Sequence, residues 1–487
     1  MSNGKNISCN SASAASKIIN LMGTGIPTEM ALRELVVNGI EACLRNNNEA
    51  DQHGVFLCRD HEHHDKLSVI NVGGDFLSEN IFLDNLATLA NTGNNTKGGQ
   101  NLFDDNKGVG AKIAYLPKAR KGLKYRSKKK GDSDGITAQM KEDRNTNNYF
   151  LPSSFCEVMG VNTCFPYCDK FHKKLKNNTG TEVVCMGDYD GEDTWELFDT
   201  LSKNGRLNSI DGTGYGLLKY FNLRFYDAPA VDVNVGIYSK DKKFRQWRKV
   251  RGLKANMNNE GKASPCVDSG IVPLNYEGLD IKAHWAIIKD RGEKGVYANI
   301  LGSGFTSVAW KGENYVDLNQ KPMSIKKDLQ NCGVIFKWNK VVIVFEIDRK
   351  HMLQTDTKRD ELYLDSRKID KNILHELFRE NFPEKLRVWQ EENRIKTSEN
   401  VSIEKTLHSQ MKDMGFGGSL RKEGNSTIPL KAKNNSNLSK TTTNTKKKPI
   451  NKKTSKRSSS ISKLNNFSTI LFFIGLVAII VDLNIIR

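Results

Sequence analysis

Residues 31 to 42 read ALRELVVNGIEA, and at about 100° per residue this stretch makes a two-sided helix. Leu32, Leu35, Val36, Ile40 and Cys43 gather on one side. Glu34, Asn38 and Glu41 lie within roughly 60° of each other on the other. The apolar side predicts core. The polar side has two readings, a wet surface or the lining of a binding site, and the segments downstream bear on the choice.

With 487 residues the chain is too long for one ordinary core, so length predicts two or three folded units. The formal charge is +18, and eleven of the cations lie between Lys431 and Lys463, with no Asp or Glu from there until Asp482. The rest of the chain is therefore only mildly basic. Nine cysteines without a pairing rhythm, and no signal-peptide pattern at the start, predict a reduced, cytosolic setting. Cys164 and Cys168 in CFPYC, and His61, His63 and His64 in HEHH, lack zinc spacing and a second matched pair, so a metal centre is not expected there.

Residues 1–14 are small and polar and are expected to be disordered, with order from Ala15. VFLCRD and KLSVINV have the β-branched look of strands joined by the HEHHD turn. From Asn91 to Lys107 the composition predicts a long loop, which ends at Gly108, Val109, Gly110, Ala111, Lys112, Ile113 and Ala114, where glycines give way to a helix. Such a junction suits a phosphate. GLKYRSKKKGDSDGITAQM predicts a hairpin with Lys128, Lys129 and Lys130 at a strand end, and TGTEVVCMG a strand followed by the helix TWELFDTLSKN. A composition break near Asn204 to Thr213 separates a first domain, 15–204, from a second, 205–400. The second domain is expected to hold the strands YFNLRFYDA, VDVNVGIYS, IKAHWAIIK and GVIFKWNKVVIVFEI, then one long helix, NILHELFRENFPEKLRVWQEENRI.

Residues 401–466 are rich in Lys, Asn, Ser and Thr and predict a disordered basic linker. In the terminal segment 467–487, Phe467 to Leu483 is the most apolar run, about 17 residues long, the lower limit for a spanning helix. Its basic flank predicts a transmembrane tail with the charge on the cytosolic side. Read otherwise, the same lysines are a nuclear signal, or an arm for anionic lipid or nucleic acid.

ELVVNGIEA, INVGGDF, KGVGAKIAYLP and GTEVV follow one another in an order and rough spacing that resemble the GHKL ATPase superfamily. That superfamily includes DNA gyrase B, type VI topoisomerase B subunits, MutL and heat-shock chaperones. The likeness covers about the first 200 residues. It implies an α+β chain, with a Bergerat-type α/β sandwich that binds ATP and Mg2+, followed by a transducer-like α+β domain. Glu34 would be the general base on the attacking water and Asn38 a neutral oxygen ligand for magnesium. Glu41 either lines the same stripe or is a solvated acid. Asn71 and Gly73 would face the adenine. Gly108, Val109, Gly110 and Ala111 would bring backbone N–H groups to the phosphates, with Lys112 adding charge and Thr181 contacting the base side.

One position departs from the family pattern. The family reads adenine with an Asp in D-N-G-x-G, whereas this chain has Asn71, Val72, Gly73, Gly74 and Asp75. An amide both accepts and donates, so base preference is blurred while binding remains open to it. HMLQTDTKRDELY, His351 to Tyr363, resembles the transducer loop that sends a cation to the γ-phosphate, with Lys358 in that role and Gln354 and Arg359 as weaker alternatives.

The resemblance implies a Mg-dependent ATPase whose 91–107 lid closes on ATP and drives homodimerisation. A kinase is not expected, since only some 30 residues precede the helix. Two alternatives are a non-hydrolysing nucleotide-binding membrane scaffold and a topoisomerase or DNA-associated ATPase subunit. The Asn/Lys-rich composition and apolar tail are similar to phage rIIA-like proteins. The expected location is a membrane with the ATPase in the cytosol, with nuclear or cytoplasmic placement as the alternative.

Overall fold

Pro27 fixes its own φ and lacks an N–H to leave unpaired, so the chain turns at Gly25 to Pro27 between α1 (Ala12–Gly23) and α2 (Thr28–Arg45). The computed structural model describes residues 5–6, 12–23, 25–45, 53–74, 76, 110–130, 134–143, 148–151, 159–160, 179–200, 212–258, 265–289, 301, 303–315, 320–356 and 361–400. All belong to one unit that ends at Lys412.

The expected hairpin forms, with β2 (Gly54–Arg59) antiparallel to β3 (Leu67–Val72) across the HEHHD turn. β3 pairs on its other side with β8 (Gly180–Gly187), then come β4 (Gly122–Lys128), β5 (Asp134–Asp143), β6 (Asn148–Leu151) and β1 (Lys5–Asn6), with β7 (Met159–Gly160) on β5. Beyond β2 lie β9 (Val233–Tyr238), parallel to it, and β10 (Phe244–Lys249). The described residues thus hold a ten-stranded mixed sheet. Its central strands are buried on both faces. Val55, Leu57 and Val69 join the core under α2, while Phe56, Cys58, Ile70 and Val72 pack with Trp247 in a separate cluster. Burial on both faces is why VFLC and SVINV are almost unbroken in apolar residues.

α3 (Gly110–Tyr115) lies beside α2 and is tied to the sheet where the Gly187 N–H donates to the Tyr115 hydroxyl at 2.9 Å. α4 (Thr194–Thr200) is the helix expected after β8, but YFNLR is not a strand. It closes α5 (Tyr215–Arg224), whose residues are buried from Gly216 to Arg224. A helix enclosed on every side has no polar face to mark its period, so its aromatic residues mimic strand composition. β9 also carries the first sheet past the composition break at 204–213.

After α6 (Leu253–Met257) comes a second sheet of five strands: β11 (Cys266–Tyr276), β12 (Leu279–Ile288), β15 (Val341–Ile347), β13 (Phe305–Trp310) and β14 (Glu313–Tyr315), in that spatial order. α7 (Pro322–Asn331) connects β13 to its parallel neighbour β15. Of GVIFKWNKVVIVFEI, only Val341 onward is strand. β16 (Gln354–Thr355), β17 (Leu362–Leu364) and β18 (Arg367–Lys368) form a small antiparallel sheet. The long terminal helix is two, α8 (Lys371–Glu380) and α9 (Glu384–Asn400), because Pro383 cannot continue the first. β14 is fastened to the end of α5 by the Asn314 side-chain N–H to Leu223 O at 2.9 Å and the Tyr226 N–H to Gly312 O at 2.8 Å. The linker and apolar tail, 401–487, lie outside the described residues, among which no helix is long and apolar enough to cross a membrane.

Candidate functional site

α2 is buried from Met30 to Cys43 with one exception, Asn38. A helix walled in by sheet and neighbouring helices that opens only at an amide presents that amide to whatever enters. One turn earlier Glu34 is 5% exposed, and one turn later Glu41 is 7% exposed. The solvated reading of Glu41 is therefore wrong: it belongs to the enclosed part of the stripe.

The glycine motif meets this helix at Glu34. A Cβ on Gly110 would overlap Glu34 Oε2 and lie 2.7 Å from Glu34 Cγ, so only hydrogen fits between α3 and the carboxylate. Ala111 and Lys112 follow, both buried. Desolvation pulls the Lys112 ammonium down to about 8. Such a lysine gains from an anion brought near it.

Further along α2 lies the turn expected to read the base. Asn71 pairs across the sheet with Thr181, and its side-chain oxygen accepts the Thr181 N–H at 3.1 Å. A Cβ on Gly74 would lie 2.9 Å from Asn71 Cγ and 3.2 Å from Ala42 Cβ, so this turn presses on both Asn71 and α2. The Gly73 N–H donates to Thr179 O at 2.8 Å. Thr181 Oγ1 lies 2.8 Å from Ser127 Oγ. The Asn71 oxygen is thus shared with the sheet.

Glu34 and Asn38 accordingly lie on α2, Gly110, Ala111 and Lys112 on the neighbouring α3, Asn71 and Thr181 on the paired strands β3 and β8, and Gly73 in the turn after β3. Gly108, Val109, the 91–107 loop and Lys358, together with Arg359, lie outside the described residues. Gln354 is an exposed residue of β16, paired with Tyr363.

The chain matches no family model and no curated protein sequence. Among solved structures it is similar to the B-subunit of the DNA gyrase from Myxococcus xanthus, at 11% identity and a TM-score of 0.33, over 73% of this chain and 90% of that one. It is also similar to the N-terminal domain of a DNA repair protein, at 12% identity and 0.41, over 77% and 98%. A third is the 43K ATPase domain of Thermus thermophilus gyrase B in complex with an aminocoumarin, at 9% and 0.31, over 79% and 90%.

Sequence reading missed the charged chain behind Glu34. Arg33 Nη1 donates to Glu34 Oε1 at 2.5 Å, its Nη2 donates to Glu313 on β14, and Arg224 Nη2 lies 3.2 Å from the other Glu313 oxygen. All four side chains are buried. Burial works against the Arg33 cation, but Glu313 and Glu34 outweigh it and raise its pKa. The signal was present: Arg33 stands seven residues before Ile40, two turns away on the apolar side, where a lone cation requires a carboxylate.

The HEHH turn also proves occupied. Asp60, His61 and Glu182 are close enough to share an ion, but Arg126 already lies among them, 2.6 Å from Asp60 and 2.9 Å from Glu182. Burial would raise the Asp60 carboxyl, yet hydrogen bonds from His61 and Arg126 hold it well below the usual range. The guanidinium supplies the charge that a metal would bring.

Proposed function

We propose that the chain is an ATP-binding switch of the GHKL type that hydrolyses ATP with magnesium. The observation that carries this reading is the seat of Glu34, whose carboxylate is pressed on Gly110 one turn from the exposed Asn38. A carboxylate held rigidly next to a glycine-led helix start can orient a water against a phosphoryl group and take its proton. Asn38 offers a neutral oxygen on the same face, which suits a hard cation that completes its shell with phosphates and waters. Bound there, magnesium would neutralise phosphate charge. Lys112 adds a buried cation on the same helix start, and Asn71 with Thr181 closes the base end. Closure of the 91–107 lid, contact of Lys358 with the γ-phosphate, homodimerisation and tail-mediated membrane attachment are further parts of the proposal.

Phosphate release by the full chain with ATP and magnesium, beside Glu34→Ala and Asn38→Ala, tests it. Glu34→Ala is expected to bind ATP while losing about 10² to 10⁴-fold in turnover, and Asn38→Ala to lose the magnesium dependence of binding. Unchanged turnover in Glu34→Ala would remove the base, and no ATP binding by the wild type would remove the site.

A further inference from the structure

Residues 240–254 read KDKKFRQWRKVRGLK, eight cations against the single acid Asp241. They occupy the tip of the β9–β10 hairpin, the strand β10 and its exit, and β10 ends the ten-stranded sheet. The aromatic residues in the run face inward. Phe244 packs on Tyr238 and Trp247, at ring centroid distances of 5.7 and 5.2 Å, and Trp247 meets Phe56 at 5.2 Å. They anchor the strand while the cations project. Lys240, Lys242, Lys243, Arg245, Lys249 and Arg251 are all exposed. The pairing with β9 shifts register between Phe244 and Gln246, so Arg245 stands at a bulge, which turns its side chain out of the regular ladder.

Asp193, Asp241 and Asp232 pair with Lys242, Lys243 and Lys249, and Glu346 with Lys254, while the exposed Arg245 and Arg251 add further positive charge to the strip. One or two lysines suffice to keep an edge strand from pairing with another chain. This strip goes well beyond that need, and it continues past both ends of the strand.

We propose that this edge binds the phosphate backbone of nucleic acid without reading its sequence. Cations at the hairpin tip (Lys240, Lys242, Lys243), on the strand (Arg245, Lys249) and at its exit (Arg251) follow one another along this sheet edge, which suits a linear array of phosphates. A bilayer would be met better by a plane of cations with apolar side chains between them, and here the aromatic residues point inward. The inference stands apart from the nucleotide site and does not depend on it.

The test is fluorescence anisotropy of a labelled mixed-sequence DNA duplex of about 25 base pairs with the full chain, from about 50 to about 200 mM salt. Because the Lys-rich segment 431–463 is present throughout, differences report the strip alone. Combined Lys243→Glu, Arg245→Glu and Arg251→Glu should weaken binding about tenfold or more at low salt and flatten the log–log salt slope by about 3. Lys243→Arg, Arg245→Lys and Arg251→Lys together should bind like wild type. If the reversed protein melts early, Arg245→Gln with Arg251→Gln decides, with an expected flattening of about 2. The proposal falls if wild type does not bind the duplex, or if the folded variants keep its affinity and slope. It also falls if the substitutions abolish binding only to phosphatidylserine vesicles.

Discussion

At Gly110 a single hydrogen atom separates α3 from the Glu34 carboxylate, and this makes the site testable without touching a charged group. Gly110→Ala introduces a Cβ that must displace Glu34, which is held on its other side by Arg33. The variant should fold, since a first-turn alanine is favourable in a helix. Its phosphate release should fall by about 10²-fold, as expected when a reacting group moves by an ångström. Wild-type turnover in Gly110→Ala would show that Glu34 has no catalytic task. Glu34 and Asn38 could be picked out from sequence because a helical period of 3.6 puts them on one line. The fit of Glu34 to Gly110 and of Gly74 to Asn71 could not, since contacts between residues far apart in sequence leave no local pattern. Arg33 was legible in principle, as a cation in an apolar arc, but its partner Glu313 lies 280 residues away.

Among the elements, α2, the β2–β3 hairpin, the β4–β5 hairpin and β8 followed by α4 matched expectation, the fully buried β2 and β3 through their β-branched residues and the HEHHD turn between them. The failures came where a helix is enclosed on every side, as in α5, or where one proline divides a charged helix, as at Pro383. α8 carries a titration that these packing arguments predict. His375 is 1% exposed, lies 3.1 Å from Thr306 Oγ1 and packs its ring against Phe345. Desolvation lowers it from an ordinary 6.5 to about 4. The folded state therefore favours the neutral ring, so its contribution is complete above pH 6.5 and is lost as pH falls towards 4. The change from about pH 7 to about pH 5 amounts to about 2 kcal/mol. Glu346, held near 2 against its burial by His284 and Lys254, adds a separate loss only below the ordinary carboxylate value of 4.5. Urea unfolding of His375→Leu at both pH values should show the first loss removed, the Glu346 loss falling below this interval. An unchanged drop in the variant would assign the pH dependence elsewhere.

Across the whole unit, the candidate site is not confined to the sheet that carries it. α2 and α5 belong to the first sheet's layer, β14 to the second sheet, and their junction is a buried alternation of charge: Glu34, Arg33, Glu313 and Arg224. Desolvating these groups is costly, and their mutual attraction offsets that cost only while each has its partners. Glu313→Gln removes the carboxylate that Arg33 and Arg224 share and puts a neutral amide in a site 1% exposed, leaving Glu34 as the carboxylate beside Arg33. Its cost should be about 3 to 5 kcal/mol, the range for breaking a buried pair from one side. Adding Arg224→Met to Glu313→Gln removes one of the two cations, fills its space with apolar chain and leaves Arg33 paired with Glu34. Most of the stability should then return, because a buried ion network and a packed apolar core of equal volume are nearly balanced. Urea unfolding of the full chain distinguishes the cases. If Glu313→Gln alone costs less than about 1 kcal/mol, the network is hydrated and the two sheets are joined by the Tyr226 backbone and Asn314 side-chain hydrogen bonds instead.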